Sequence, residues 1–430
     1  MKKILISIAV VAAGAFAWFF QDIRELHALY LYADAFKAEN IDNNFRSFYK
    51  QYPSLKIAQQ GPVYPLPKED SKNALPKHYL YDKEQREIVE WMQRTHTTGM
   101  AIMKDGKLIY EQYFRGNTED TQSIIMSVSK SMASMLIGVA VEEGHIDSIE
   151  DPVIKYVPSL KGSAYDDGVT VKHVLQMSSG VRWDEDYGNL DSDLVRSVVA
   201  TLLGSLDEFS GTMVRENAPG SYNRYASIDT QVLGMIIREA SGKSYQDYFN
   251  EKLWSKLGAE HDAYLQTDAV GEPLVYGGVN VTLRDMIRFG QLYINEGRNY
   301  KGESLVNSEW VRVSTIPLGD HVQPGIDNPQ SDSGFGYGYQ WWIPMQPDDD
   351  YSAIGIYGQF IYINPKRGVV IAKTSAYPNY TVDGGWMNHE SLIAFQQIAK
   401  HLSGPDGSTD NENRIVQLTA TEDLPAASEE

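Results

Sequence analysis

The chain has no cysteine among its 430 residues. That absence excludes disulfide bridges, thiolate metal sites, a cysteine nucleophile and a lipid-modified N-terminal cysteine. It leaves the redox compartment open, because a chain without thiols is safe in either. Positive charge is also scarce: 38 Lys and Arg stand against 57 Asp and Glu, a formal net charge of -19. Such a chain repels a phosphate backbone or an anionic membrane surface, so nucleic acid is excluded as a partner. There is no Gly-x-Ser-x-Gly elbow, no His-Glu-x-x-His zinc helix and no Gly-x-x-x-x-Gly-Lys phosphate loop. The nine histidines form no metal-like cluster, and neither a metal nor a cofactor is expected.

What is present supports a large folded core, since 42% of the residues are hydrophobic and 22% charged. One large domain or two interleaved ones are both compatible with that length. At the N-terminus Lys2 and Lys3 precede a charge-free, mostly apolar run from Ile4 to Phe20, and Asp22 and Glu25 follow. This is an export signal, with the lysines in the cytoplasm and the rest of the chain outside. Ala15-Phe16-Ala17 has the small-x-small form of a cleavage site, whereas Trp18, Phe19 and Phe20 prolong the run as an uncleaved anchor would. Residues 1–20 are therefore a signal peptide or a membrane anchor, and the protein is expected to be periplasmic or tethered to the inner membrane facing the periplasm. Membrane contact is confined to that segment, and the oligomeric state is not legible.

Residues 21–86 read as a helical stub followed by an extended, wrapping lead-in that carries no chemistry, with prolines at 62, 65, 67 and 76. Residues 87–402 form the main domain. Met100 to Phe114 gives a hairpin around Lys104-Asp105-Gly106. Met132, Met135, Leu136, Val139 and Ala140 recur at helical spacing, predicting a buried helix over 127–143 that Gly144 stops. From about 149 to 344 helical runs such as 230–240 and 283–294 alternate with Gly- and Pro-rich loops, a mostly helical lobe. Residues 359–363 and 369–374 give a second hairpin, and 388–402 a final helix. Strands at both ends of the sequence share one antiparallel sheet only if the ends meet in space, so an α+β architecture is expected. The acidic, apolar-poor tail 403–430 is assigned to disorder.

Ser127-Val128-Ser129-Lys130 is a Ser-x-x-Lys motif at the start of the predicted buried helix. Its spacing puts a hydroxyl and an amine on one face within a turn. A lysine can accept the serine proton when burial and the positive helix end lower its pKa, and the Ser127 backbone N–H is available as an oxyanion donor. Ser47-Phe48-Tyr49-Lys50 repeats the motif without a long apolar helix behind it, and is set aside as a chance match.

Further landmarks follow in order: Val169-Thr170-Val171-Lys172-His173-Val174-Leu175-Gln176-Met177-Ser178-Ser179-Gly180, then Pro219-Gly220 with Tyr225-Ala226-Ser227, then Gly277-Gly278-Val279-Asn280-Val281-Thr282-Leu283-Arg284-Asp285. Together with Ser127 and Lys130 they resemble the penicillin-recognising serine hydrolases of the class C β-lactamase and D-alanyl-D-alanine carboxypeptidase type. Over about 81–402, with Gly355-Ile356-Tyr357-Gly358-Gln359, the likeness is greatest to the branch of 6-aminohexanoate-dimer hydrolases and esterases. The resemblance implies a β-lactamase/transpeptidase-like fold, an antiparallel sheet flanked by helices plus a helical lobe. It implies Tyr225 as the tyrosine that takes a proton from the serine and returns one to the leaving group, a partly ionised phenol if two cations flank it. The family's Lys-Thr-Gly strand falls at Ala353-Ile354-Gly355, where the lysine and threonine are missing. Ile356 N–H then supplies the second oxyanion donor, or Gly358 fills that place if the strand is shifted. Ser227, where the β-lactamases have Asn, joins Gly355, Tyr357 and Trp341 as substrate-pocket candidates. Trp341 and Trp342 are adjacent, so at most one of them faces the pocket, and His173 is read as a capping or packing residue.

The implied activity is hydrolysis of small ester or amide substrates through an acyl-enzyme on Ser127. Two alternatives stay open, a true β-lactamase or D-alanyl-D-alanine carboxypeptidase, and a catalytically idle scaffold or sensor.

Overall fold

Two hairpins from opposite ends of the main domain pair with each other. In the computed structural model, which describes residues 23–69, 71 and 73–403, strands β1 (Thr97–Lys104) and β2 (Lys107–Tyr113) form the first. Strands β3 (Gly336–Tyr337), β4 (Trp342–Ile343), β5 (Tyr351–Gly355), β6 (Gln359–Asn364) and β7 (Val369–Ser375) complete a seven-stranded sheet of order β2-β1-β7-β6-β5-β4-β3. Every neighbouring pair is antiparallel, and β7 closes on β1 from Val369 opposite Lys104 to Thr374 opposite Gly99. The ends of the domain therefore meet, and the fold is α+β.

Four helices position the site: α1 (Ser129–Glu142), α2 (Ser227–Ser241), α3 (Leu283–Ile294) and α4 (Tyr380–Leu402), the last kinked at Asp383. Alternate residues of the central strands enter two different cores, as strand geometry requires. Ala101, Ile361, Val370 and Ala372 pack with α1 and α3, while Met100, Phe360, Tyr362 and Ile371 pack with α4 and the helix Ile88–Arg94. With helices on both faces, β1, β6 and β7 are buried almost throughout.

Three expectations differ from what is observed. Helix α3, read as part of the helical lobe, packs under the sheet beside β7 and β6. The stretch 149–344 also carries strands, among them Ala263–Gln266 and Val279–Val281. The lead-in is more structured than an extended wrap. Residues 23–35, Ile41–Phe45 and Phe48–Gln51 are helical. Ser54–Ile57 then joins a second, four-stranded sheet beside Ala263–Gln266, whose far edge is Ser123–Ile124. That edge ends three residues before Ser127. Among the described residues no helix is long and apolar enough to cross a membrane. The apolar run 1–20 and the acidic tail beyond Ser403 lie outside the described residues.

Candidate active site

The chain leaves the small sheet at Ile124 and turns sharply through Met126, whose φ of 49° is left-handed. A non-glycine residue there costs roughly 1 kcal/mol or more, a cost tolerated where it aims a functional side chain. A single 3-10 turn, Met126–Val128, carries Ser127 and feeds α1. Ser129 Oγ locks this turn, donating to Met126 O at 2.6 Å and accepting from Val279 N at 3.3 Å. Lys130, three residues after Ser127, is buried, and its Nζ donates to Ser127 Oγ at 2.7 Å and to Tyr276 O at 2.7 Å. The amine also lies 5.2 Å from the Tyr225 ring centroid and 5.3 Å from that of Tyr276. Burial pulls the Lys130 pKa from 10.5 down to about 7, against the opposing charge of Glu185. Near neutrality a large share of the amine is therefore uncharged, with a lone pair available to Ser127. The second Ser-x-x-Lys has no such setting, for Lys50 is exposed.

Tyr225 sits just before the N-terminus of α2, with its ring 4.9 Å from Trp342 and 6.1 Å from Tyr337. Ser127 is a hydrogen-bonding neighbour of its phenol. Burial first, and then Glu185, push the phenol well above its ordinary value of 10, while Ser127 pulls weakly the other way. This corrects the partly ionised phenol expected between two cations. The strand that would bring the second cation carries Ala353 and Ile354 instead, and a carboxylate faces the ring environment. Tyr225 is thus a neutral phenol able to relay a proton, and Lys130 an amine able to accept one. His173, as read from the sequence, caps its own helix: Thr170 N donates to its Nδ1 at 3.2 Å and its N–H donates to Thr170 Oγ1 at 3.3 Å.

Sequence reading missed Glu185. Its carboxylate accepts from Ser227 N at 3.0 Å, Ser227 Oγ at 2.6 Å, Tyr187 Oη at 2.8 Å and Trp183 Nε1. It stands at the N-terminus of α2, where the helix dipole and free N–H groups favour an anion. Ser227, a pocket candidate, commits its hydroxyl to this carboxylate and still borders the cavity. The only available signal was an acidic loop, Asp184-Glu185-Asp186, in which both flanking aspartates are exposed.

The third element is β5. A Cβ on Gly355 would lie 2.5 Å from Ile125 O and 3.1 Å from Met126 Cβ, so β5 presses directly on the turn that carries Ser127. The alternative register fails, since Gly358 faces Ser375, away from that turn. Ile356, next after Gly355, lines the same cavity as Ser127. Two pocket candidates are displaced. Tyr357 turns under the lead-in, stacked on Phe36 at 4.7 Å and beside Tyr380 at 5.3 Å. Trp341 is buried in the core between Tyr293 at 4.5 Å and Tyr351 at 5.2 Å. Strand alternation gives the site face to its neighbour Trp342 instead.

At Ser127 opens a cavity of about 170 Å³. One side is the face of the helix Asp193–Leu203 that presents Leu194, Val198, Thr201 and Leu202 at helical spacing. The other comes from the lead-in, through Tyr32, Ala35, Phe36 and Phe48.

The sequence profile of the β-lactamase family matches residues 84–388. The chain belongs to the β-lactamase family. This β-lactamase-family chain is 30% identical over 342 residues to the 6-aminohexanoate-dimer hydrolase of Paenarthrobacter ureafaciens, spanning 76% of the chain and 83% of the relative. It is 26% identical over 318 residues to the teichoic acid D-alanine hydrolase of Staphylococcus aureus, spanning 68% of the chain and 74% of that protein. A Bacillus anthracis structure provisionally named a 6-aminohexanoate-dimer hydrolase shares the fold with a TM-score of 0.73, at 23% identity over 84% of this chain and 96% of its own. The protein is accordingly a β-lactamase-family hydrolase. The family match starts at residue 84, so the cavity side built by residues 32–48 stands outside it.

Proposed function

We propose that the protein hydrolyses ester or amide bonds of small substrates through an acyl-enzyme on Ser127. The observation that carries this reading is the 2.7 Å contact between Ser127 Oγ and a buried amine whose pKa is lowered to about 7. Neutral Lys130 takes the Ser127 proton as Oγ forms a bond to the substrate carbonyl carbon. The N–H groups of Ser127 and Ile356 are assigned to the oxyanion. Collapse breaks the bond to the alcohol or amine, which leaves with a proton from Tyr225, and Lys130 resupplies Tyr225. Water then attacks the acyl-enzyme, giving up its proton to the same pair, and the carboxylic acid departs as Ser127 recovers its own. Ala353 and Ile354 supply no cation for a substrate carboxylate, which favours esterase or amidase action over β-lactam or D-alanyl-D-alanine turnover. The Lys2-Lys3 pair followed by the apolar run 4–20 supports an exported location for this activity.

The test is hydrolysis of p-nitrophenyl butyrate, nitrocefin and a linear 6-aminohexanoate dimer by the protein and by Ser127→Ala. Turnover of the ester or the linear amide should fall by at least about 10³-fold in the variant, with nitrocefin left intact by both. Equal turnover by the two proteins would remove Ser127 from the reaction, and turnover of nitrocefin alone would make the protein a β-lactamase.

A further inference from the structure

The cavity at Ser127 carries information about the substrate beyond its reacting bond. Among the described residues that line it none bears a charge. Several of its polar groups are already engaged with protein: Tyr187 Oη donates to Glu185 at 2.8 Å, Thr201 Oγ1 to Ser197 O at 2.8 Å, Tyr32 Oη to Tyr187 O at 3.0 Å, and Tyr276 Oη pairs with Ser197 Oγ at 2.8 Å. Most of the surface left to receive a ligand is aliphatic and aromatic, from Leu194, Val198, Leu202, Phe36, Phe48 and Ile124. Tyr225, which returns the proton to the leaving group, does not line the cavity, and neither does its neighbour Trp342. The cavity therefore receives the part of the substrate that stays on Ser127. At about 170 Å³ it slightly exceeds the roughly 150 Å³ of an apolar cavity that binds benzene, a ligand of six carbons.

Resting on the Ser127 hydrolase reading, we infer that this cavity is an acyl pocket for an unbranched, uncharged chain of about six carbons, and that Phe36 and Phe48 of the lead-in set its length. The preferred substrates are esters or amides of medium-chain fatty acids. A chain ending in a carboxylate or an ammonium is refused, because the buried charge would meet no opposite charge in the lining. Each methylene that enters should raise kcat/KM about fourfold, from the roughly 0.8 kcal/mol that its burial contributes.

The experiment measures kcat/KM of the full chain, beside Ser127→Ala, for p-nitrophenyl acetate, butyrate, hexanoate, octanoate and decanoate. It adds p-nitrophenyl 6-aminohexanoate and the p-nitrophenyl monoester of adipic acid. The expected result is a rise on the order of 10²-fold from acetate to hexanoate, a decline beyond octanoate, and at least a tenfold deficit for both charged chains against hexanoate. Phe36→Ala should move the optimum to a longer chain, and the milder Phe36→Leu should move it the same way by less. Ser127-dependent turnover that is flat or falls with chain length, or that treats the charged chains like hexanoate, overturns the acyl pocket and leaves the hydrolase reading standing. An optimum unmoved in both Phe36 variants overturns the role of the lead-in. Absence of any Ser127-dependent turnover removes the hydrolase reading and this inference together.

Discussion

Burial brings two lysines down to about 7, Lys130 and Lys373, but their surroundings give them different uses. Lys373 on β7 donates to the Ser375 hydroxyl beneath the rings of Trp91 and Phe360 and does not line the cavity. Lys130 meets Ser127, so its neutral form has a proton to take. Activity should accordingly rise with pH along a limb centred near 7 as Lys130 loses its charge. Glu185 raises the pKa of Lys130, so Glu185→Gln should lower it and shift that limb in the pH profile of kcat/KM to lower pH. A limb that stays in place or moves up would dissociate Glu185 from the base. Ser127 and Lys130 were legible because three residues along a helix fix which face a side chain takes. Glu185 was not, because the loop sequence does not distinguish it from Asp184 and Asp186. It is selected by the N-terminus of α2 and Tyr187, which approach it only in the folded chain.

Under the proposed mechanism strand β5 does for the oxyanion site what α1 does for the nucleophile, and both rely on close backbone approach. Gly355 has room for no side chain against Ile125 O. Gly355→Ala should push β5 off the Ser127 turn by a fraction of an ångström, cut kcat about 10²-fold and cost about 1–3 kcal/mol in urea unfolding. Full activity in that variant would mean that β5 does not contribute to the oxyanion site. Both hairpins and α1 to α4 were readable from period and turn residues, which are local signals. The placement of α3 was not, since an apolar stripe says that a helix packs without saying on what. The two-residue strand β4 likewise has too little alternation to reveal that Trp342, not Trp341, faces Tyr225. The lead-in beyond its helical stub escaped for a related reason: its helices are short, and their aromatic residues find partners only on distant elements such as Tyr357.

The molecule is closed by contacts between segments far apart in sequence, several of them ionic. Glu390 on α4 is fully buried and accepts from Arg86 at 2.6 Å, from Arg94 at 3.0 Å and from Tyr79 Oη at 2.6 Å. It thus ties the hairpin of His78–Tyr81 and Glu84–Glu87 and the helix behind it to the last helix of the domain. Burial pushes its carboxyl up, yet the hydrogen bonds from Arg94, Tyr79 and Arg86 outweigh that and hold it below 4.5. Removing one member of a buried pair costs about 3–5 kcal/mol, and both guanidiniums here keep some contact with water, so Glu390→Gln should cost nearer 2 kcal/mol at pH 7. A carboxylate with a depressed folded pKa contributes its stability in full above its unfolded value and loses it as the pH falls through the folded one. The gap between the two proteins in urea unfolding should therefore be constant from pH 8 to 5 and shrink below about 4. If it persists undiminished at pH 3, hydrogen-bond geometry rather than charge joins the two ends of the chain.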